Sequence, residues 1–279
     1  MRCLFTFLKS RRENTIPFTE EIIGDILKQA NQLYEEKYME ENQKSAEQLI
    51  AEMELKEKKR LSVVLKHMKA GVEFIDWKSA YIDEKVIIGK GTVIGPGVIL
   101  EGDVSIGENC TIGYNTRIAD SIISDNVNIQ CSVIIESKVG SRTKIGPFAY
   151  LRPGSKIGED AKVGDFVEVK NSTLGNGTKA SHLSYIGDAD VGPGVNIGCG
   201  VVFVNYNGSE KNRSIVEEDA FVGCNTNLIA PVTVGKGAYV AAGTTITKDV
   251  PPGALCIGRA GDRNINGWVE KRGILKKKK

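Results

Sequence analysis

The chain has 279 residues and a net charge of +2. That length holds one large domain or a domain with an appendage, and so even a charge balance points to neither nucleic acid nor an anionic surface. No run approaches the ~18 consecutive apolar residues of a membrane span, so no membrane insertion is expected. Glycine is the outlier, with 31 copies where average usage gives about 20.

The N-terminus, MRCLFTFLKSRREN, carries a short apolar stretch from Cys3 to Leu8 followed by basic residues. It is too short for a signal-peptide core and lacks a small-residue cleavage site. The cysteines Cys3, Cys110, Cys131, Cys199, Cys224 and Cys256 form no CxxC pair. They are expected to be free thiols in a reducing cytoplasm, most of them packing residues.

Residues 19 to about 69 are rich in Glu, Lys, Gln and Leu and are predicted helical. Thr19 is a candidate N-cap, and Ser45 with Gln48 three residues on reads as a capping box. Asn42 and Ser45 suggest a break between two helices. The charges are expected to be a solvated face, with a docking or coiled-coil arm as the other reading. His67 is expected to be exposed on this arm.

From Ile82 an aliphatic residue recurs every six positions: Ile82, Ile88, Ile94, Leu100, Ile106, Ile112, Ile118. Five-residue steps carry the pattern through Ile123, Ile129 and Ile134 to Val139. Strict sixes resume from Ile145 to Val169, and again from Val216 to Ile246. A period of six is neither 3.6 nor 2. It fits a solenoid in which each hexapeptide is one short strand and a turn, the aliphatic pointing inward. Three sides make a coil of about 18 residues, stacked ~4.8 Å from the next. The chain is therefore divided into a helical arm (1–75), an all-β solenoid (76–260) and a basic tail (261–279). Two places break the pattern. Val204 to Ser214, VNYNGSEKNRS, should be an excursion from the coil, and Pro251-Pro252-Gly253 should end it.

The period also serves as a ruler. Arg152 and Lys170 are 18 apart with only six-residue steps between, so they should lie side by side on adjacent coils. Two such cations repel unless an anion separates them; an anion site and two splayed surface side chains both remain open. By the same count Cys224 stacks on Ala242. His182 lies among the repeats, and a lone histidine is either structural or catalytic.

The stretch from about His67 to Arg259 resembles the acetyltransferase domain of the bacterial bifunctional enzymes of UDP-N-acetylglucosamine synthesis. The segments that carry the resemblance are GPFAYLRPG, VGDFVEVKNSTLGNGTKASHLSYIGDADVGPGVNIG, VNYNG and LIAPVTVGKGAYVAAGTTITKDV. The end of the chain, from Gly267-Trp268 to Lys279, looks like the family's tail. The resemblance implies a left-handed parallel β-helix, a homotrimer with sites between subunits, and acetyl-CoA as co-substrate with no metal. It implies that His182 is the general base. Arg152, Lys170, Tyr185, Asn196 and Lys211 match sugar-phosphate contacts. Cys199, Asn205, Tyr206, Cys224, Ala242 and Arg259 match acetyl-CoA contacts. The implied activity is glucosamine-1-phosphate N-acetyltransferase, which feeds UDP-N-acetylglucosamine and peptidoglycan precursor synthesis.

The residue types suit that chemistry. A sugar ammonium must lose a proton before it attacks a thioester, and imidazole titrates near neutrality. Arg152 and Lys170 suit a phosphate. The Asn196 amide or backbone N–H groups could hold an oxyanion. Three departures from the family stand out: Ser181 where it has glycine, and Cys199 and Cys224 where it has alanine and serine. A non-catalytic trimeric scaffold or sugar-nucleotide-binding module is the alternative, as is transfer to another amino sugar.

Residues 1–66 are too few for a uridyltransferase domain and lack its LxAGxGTRM signature. The chain is expected to release no pyrophosphate from UTP and N-acetylglucosamine 1-phosphate, and a coupled pyrophosphate assay tests this.

Overall fold

The computed structural model describes residues 24–25, 27–33 and 44–273. The expected cap at Thr19, the break at Asn42, the stretch Cys3 to Leu8 and the end Lys276 to Lys279 lie outside them. The chain divides into two compact units, Met1–Lys59 and Arg60–Lys279.

In the first unit residues 27–33 are helical, and a longer helix, Ala46–Lys69, begins there. It starts where the capping box places it. The Ser45 N–H donates to Gln48 Oε1 at 2.9 Å, and the Gln48 N–H donates to Ser45 Oγ at 3.3 Å. Two N–H groups left orphaned by the helix start are thus satisfied reciprocally.

The second unit is a three-sided parallel β-helix. Its faces are sheets of eleven, ten and nine strands, and each strand pairs with the third one along the chain except at the end, where Tyr239–Val240 pairs with Leu255–Cys256, the second one on. Every aliphatic of the series from Ile82 to Val169 is buried. One hexapeptide cannot cover its apolar side chain, so the residues fold only as a stack. Between Val169 and Val216 the inward positions are Leu174, Ala180, Ile186, Val191, Ile197 and Phe203. Two of these steps span five residues. Val163 therefore pairs with Ala180, and Val169 with Ile186, each 17 positions on.

Two expectations need correction. His67 is not exposed: it is 3% accessible, and its Nε2 has no hydrogen-bond partner. Burial pushes its imidazole below the ordinary value, and Lys66 adds to the shift. The open end of a solenoid core must be covered, and the end of the helix covers it. Val63 joins the core beside Val72 and Ala80. Arg60 donates to the carbonyls of Trp77 at 2.8 Å and Ala80 at 3.0 Å. The second correction concerns the prolines. The strand Leu255–Cys256 pairs with Tyr239–Val240 beyond Pro251-Pro252, so the solenoid does not stop there. The prolines sit at a corner between strands, where no ladder N–H is lost.

Phe203 leads the fully buried side chains by volume. Phe203→Ala should cost about 3–5 kcal/mol, whereas Val202→Ala, on the outer face of the same strand, should stay within about 0.5 kcal/mol. Urea unfolding of both variants checks this.

Candidate functional site

At one corner of the β-helix a carboxylate meets an imidazole. The strands Lys162–Asp165 and Lys179–His182 run to four residues, whereas Lys144–Ile145 and Asn196–Ile197 beside them in the same sheet have two. The extension sets Asp165 directly opposite His182. Gly164 permits it, because a Cβ there would collide with the Ser181 carbonyl. His182 Nδ1 lies 2.6 Å from Asp165 Oδ1. The hydrogen bond from His182 holds the Asp165 carboxyl below the usual carboxylate range. With Nδ1–H donating to the carboxylate, Nε2 is left as the acceptor. The His182 side chain is 54% exposed. Asp165 was not singled out from sequence; the signal was its 17-residue offset, one short coil.

Above His182 runs a strip of small side chains. Ala180, Ile197, Val222 and Val240 are partners in register, so two positions on His182, Cys199, Cys224 and Ala242 follow one another along the axis. The expected stacking of Cys224 on Ala242 holds. Arg259 donates from Nη1 to the Ala242 carbonyl at the end of this strip. Asn196 stands apart, on the outer face of the same sheet between Lys179 and Phe221.

The cations gather where the middle strands of the ten-stranded face, Tyr150–Leu151 and Glu168–Lys170, end. Arg152 and Lys170 follow the paired residues Leu151 and Val169, as the ruler requires. Each has its own carboxylate rather than a shared anion: Arg152 Nη1 is 2.7 Å from Glu168 Oε1, and Lys170 Nζ is 3.7 Å from Asp188 Oδ2. Lys170 also presses on Lys211 and pushes that ammonium below its ordinary value. Tyr185 lies across the next coil, where Gly187 leaves room: a Cβ there would overlap the phenol.

Residues beyond Val204 leave the coil, as expected. Tyr206 and Lys211 form an antiparallel bridge, and the Tyr206 hydroxyl donates to the Gly208 carbonyl at 2.6 Å. Asn205 is buried, and its amide donates to Asp188 Oδ2 and lies 3.4 Å from the Tyr185 hydroxyl. The loop is fastened on return by Arg213, which reaches both Asp190 oxygens at 2.6 and 2.7 Å. Of the residues expected to form a site, Lys170, Tyr185, Asn205 and Lys211 converge, with Arg152 one coil below. His182 and the strip form a second group. Glu168 and Asp188, which organise the cations, were missed because carboxylates carry no period.

One further feature flanks His182. Phe148, Phe166 and Leu183 are 53%, 58% and 58% exposed. All three have left-handed backbone, at φ 59°, 55° and 49°, a conformation that costs a bulky residue about 1 kcal/mol. The Phe148 and Phe166 rings stack at 5.5 Å.

A family profile described as the GMPPB C-terminal domain matches residues 81–173, and one for the bacterial transferase hexapeptide (six repeats) matches residues 213–248. The chain is 50% identical over 224 residues to the bifunctional protein GlmU of Alkaliphilus metalliredigens, covering 80% of this chain and 49% of that protein. It is 53% identical over 228 residues to that of Clostridium botulinum strain Loch Maree, covering 82% and 50%. It is 53% identical over 226 residues to that of Caldicellulosiruptor saccharolyticus, covering 81% and 48%. The resemblance drawn from the motifs is borne out, and the chain spans about half the length of the curated relatives it matches.

The loop fastenings carry a pH signature. The hydrogen bonds from Arg213 hold Asp190 below the usual carboxylate range. Burial raises Asp188, but the Asn171 and Asn205 amides and the charges of Lys170 and Lys211 outweigh it and leave it lowered. A depressed carboxyl stabilises the fold above its unfolded value, ~3.9, and that stabilisation is lost as pH falls through the folded value. The protection factors for amide exchange across residues 205–213 should hold above pH ~4 and fall as pH drops below it.

Proposed function

We propose that this chain transfers an acetyl group from acetyl-CoA to the amine of glucosamine 1-phosphate, giving N-acetylglucosamine 1-phosphate. The observation that carries this reading is the Asp165–His182 pair. The strip of small side chains continues from it along one corner, and the Lys170–Lys211 cluster lies across the adjoining face, where the strand Glu168–Lys170 ends.

The sugar phosphate docks on Lys170 and Lys211, with Arg152 turning from Glu168 and the Tyr185 hydroxyl beside it. Two adjacent ammonium groups with one carboxylate between them lack a negative charge, and a phosphate monoester supplies it. Acetyl-CoA lies along Cys199, Cys224 and Ala242, whose side chains leave the corner shallow, with Asn205, Tyr206 and Arg259 at its margins. His182 Nε2 takes a proton from the sugar ammonium. The freed amine attacks the thioester carbon, and the carbonyl electrons move to oxygen. A backbone N–H holds that oxyanion. Collapse breaks the C–S bond. Acylation leaves a second proton on the nitrogen, which passes to the departing thiolate, while the imidazolium sheds the first to solvent; the products are the amide, the free thiol and one proton, and His182 is regenerated. Asp165 keeps the ring in one tautomer and steadies the imidazolium. Cys199 and Cys224 take no covalent part, because amine and thioester react directly once held together.

In one chain His182 is open to solvent, whereas acyl transfer is favoured where water is excluded. The Phe148–Phe166–Leu183 ridge beside it supports assembly as a homotrimer with a neighbour closing the site. Exposed bulky residues in strained backbone are otherwise costly. Among the described residues no helix is long and apolar enough to cross a membrane. A cytoplasmic enzyme feeding peptidoglycan precursor synthesis fits the reading.

Release of free thiol from acetyl-CoA with glucosamine 1-phosphate tests it. Wild type should turn over, His182→Ala should lose about 10²–10⁴-fold in kcat, and Asp165→Asn at least about ten-fold. A wild type that binds acetyl-CoA but does not turn over would leave the scaffold reading standing instead. Replacing Phe166 with Glu should lower the oligomeric state seen by light scattering.

A further inference from the structure

Asp188 touches Lys170, Asn171 and Asn205, yet no step of the reaction uses it. It is 7% accessible, in left-handed backbone at φ 50°. Each of its oxygens is claimed by an amide. Asn171 Nδ2 donates to Oδ1 at 2.6 Å, and Asn205 Nδ2 donates to Oδ2. Lys170 Nζ approaches Oδ2 at a looser 3.7 Å. The Ser214 N–H, where the loop rejoins the coil, donates to the Asp188 carbonyl at 3.2 Å. Both ends of the excursion are therefore tied to this one residue.

The charges are arranged unevenly. Arg152 is matched by Glu168, and among the described residues the charge of Asp188 acts on both Lys170 and Lys211. The bonds that fix the carboxylate are short and come from neutral amides. The contact with Lys170 is long enough to yield to a better anion.

We infer that Asp188 is a positioning residue that couples the phosphate subsite to the loop carrying Asn205 and Lys211. One carboxylate fastens the loop and at the same time tempers the charge of the subsite. The inference rests on the reading above, in which the subsite takes a phosphate monoester. Its consequence is a pair of opposite effects. Removing the charge at Asp188 frees Lys170 and Lys211 for phosphate but unfastens the loop. A carboxylate with a merely structural role would weaken both together.

The test uses the full chain and inorganic phosphate. In Asp188→Asn, which keeps the side-chain shape, calorimetric titration should show phosphate binding about five-fold tighter. Amide exchange across residues 205–213 should become about ten-fold faster, with the rest of the β-helix unchanged. Weaker phosphate binding, or an unchanged loop, overturns the inference. Asn171→Ala leaves every charge in place and removes only one fastening. It should speed exchange in the loop by a smaller factor and leave phosphate affinity within about two-fold. If Asp188→Asn fails to fold, a loop unaffected by Asn171→Ala overturns the inference by itself. Turnover of glucosamine 1-phosphate by a wild type whose Asp188→Asn variant behaves identically would sink the inference and spare the function. A wild type that binds no phosphate sinks both.

Discussion

Everything in the second unit depends on the backbone ladder from coil to coil. Each strand donates and accepts along the axis, and the spacing between coils is set by the peptide hydrogen bond rather than by side chains. Parallel pairing in register puts like positions over like positions. Inward aliphatics stack on aliphatics, as Ile94 on Ile112 and Ile129 on Ile145. Outward residues form columns in the same way. The core is a filled axis with no freedom to slide, because a shift of one residue would turn the aliphatic face outward.

That constraint makes chemistry on the surface a matter of counting. Two side chains meet across coils only if the residues between them complete a turn. An 18-residue turn brings Arg152 to Lys170. A 17-residue turn brings Asp165 to His182 and Asn171 to Asp188. The two lengths occur in adjoining stretches at the sites, and short turns also occur earlier, where Ile112 pairs with Ile129 and Ile118 with Ile134. A rigid scaffold then holds the imidazole and its carboxylate on two paired strands, while the variable part, the loop after Val204, supplies Asn205 and Lys211. Position is given by the ladder and adaptability by the excursion.

The cationic cluster shows how such columns stay stable. Stacking like charges along an axis is unfavourable, and three basic residues here are given a carboxylate one coil away or at the loop base, Arg152 with Glu168, Lys170 with Asp188 and Arg213 with Asp190, while the charge of Asp188 also acts on Lys211. The exposed pairs contribute little to stability. Their effect is on geometry, since they orient side chains that would otherwise splay.

The six-residue period made the fold legible before any coordinates. It identified the inward residues, the excursion, the stacking of Arg152 on Lys170 and of Cys224 on Ala242, and the Ser45–Gln48 cap was equally plain. Those features are local or strictly periodic, so spacing alone specifies them. The partner carboxylates were not legible. Asp165, Glu168 and Asp188 look like any surface acid; the partners of Asp165 and Asp188 depend on where five-residue steps fall in a region where Ala180 hid the phase, and that of Glu168 on a diagonal contact that spacing does not specify. His67 was misplaced for the same kind of reason. Nothing in a helix's own sequence says that its last turn will cover the end of a stack that begins after it. Sequence determined the period, and with it the coil. Only the tertiary structure decided which columns came into register, because pairing across coils is set by the number of residues in each turn and not by the character of the residues that meet.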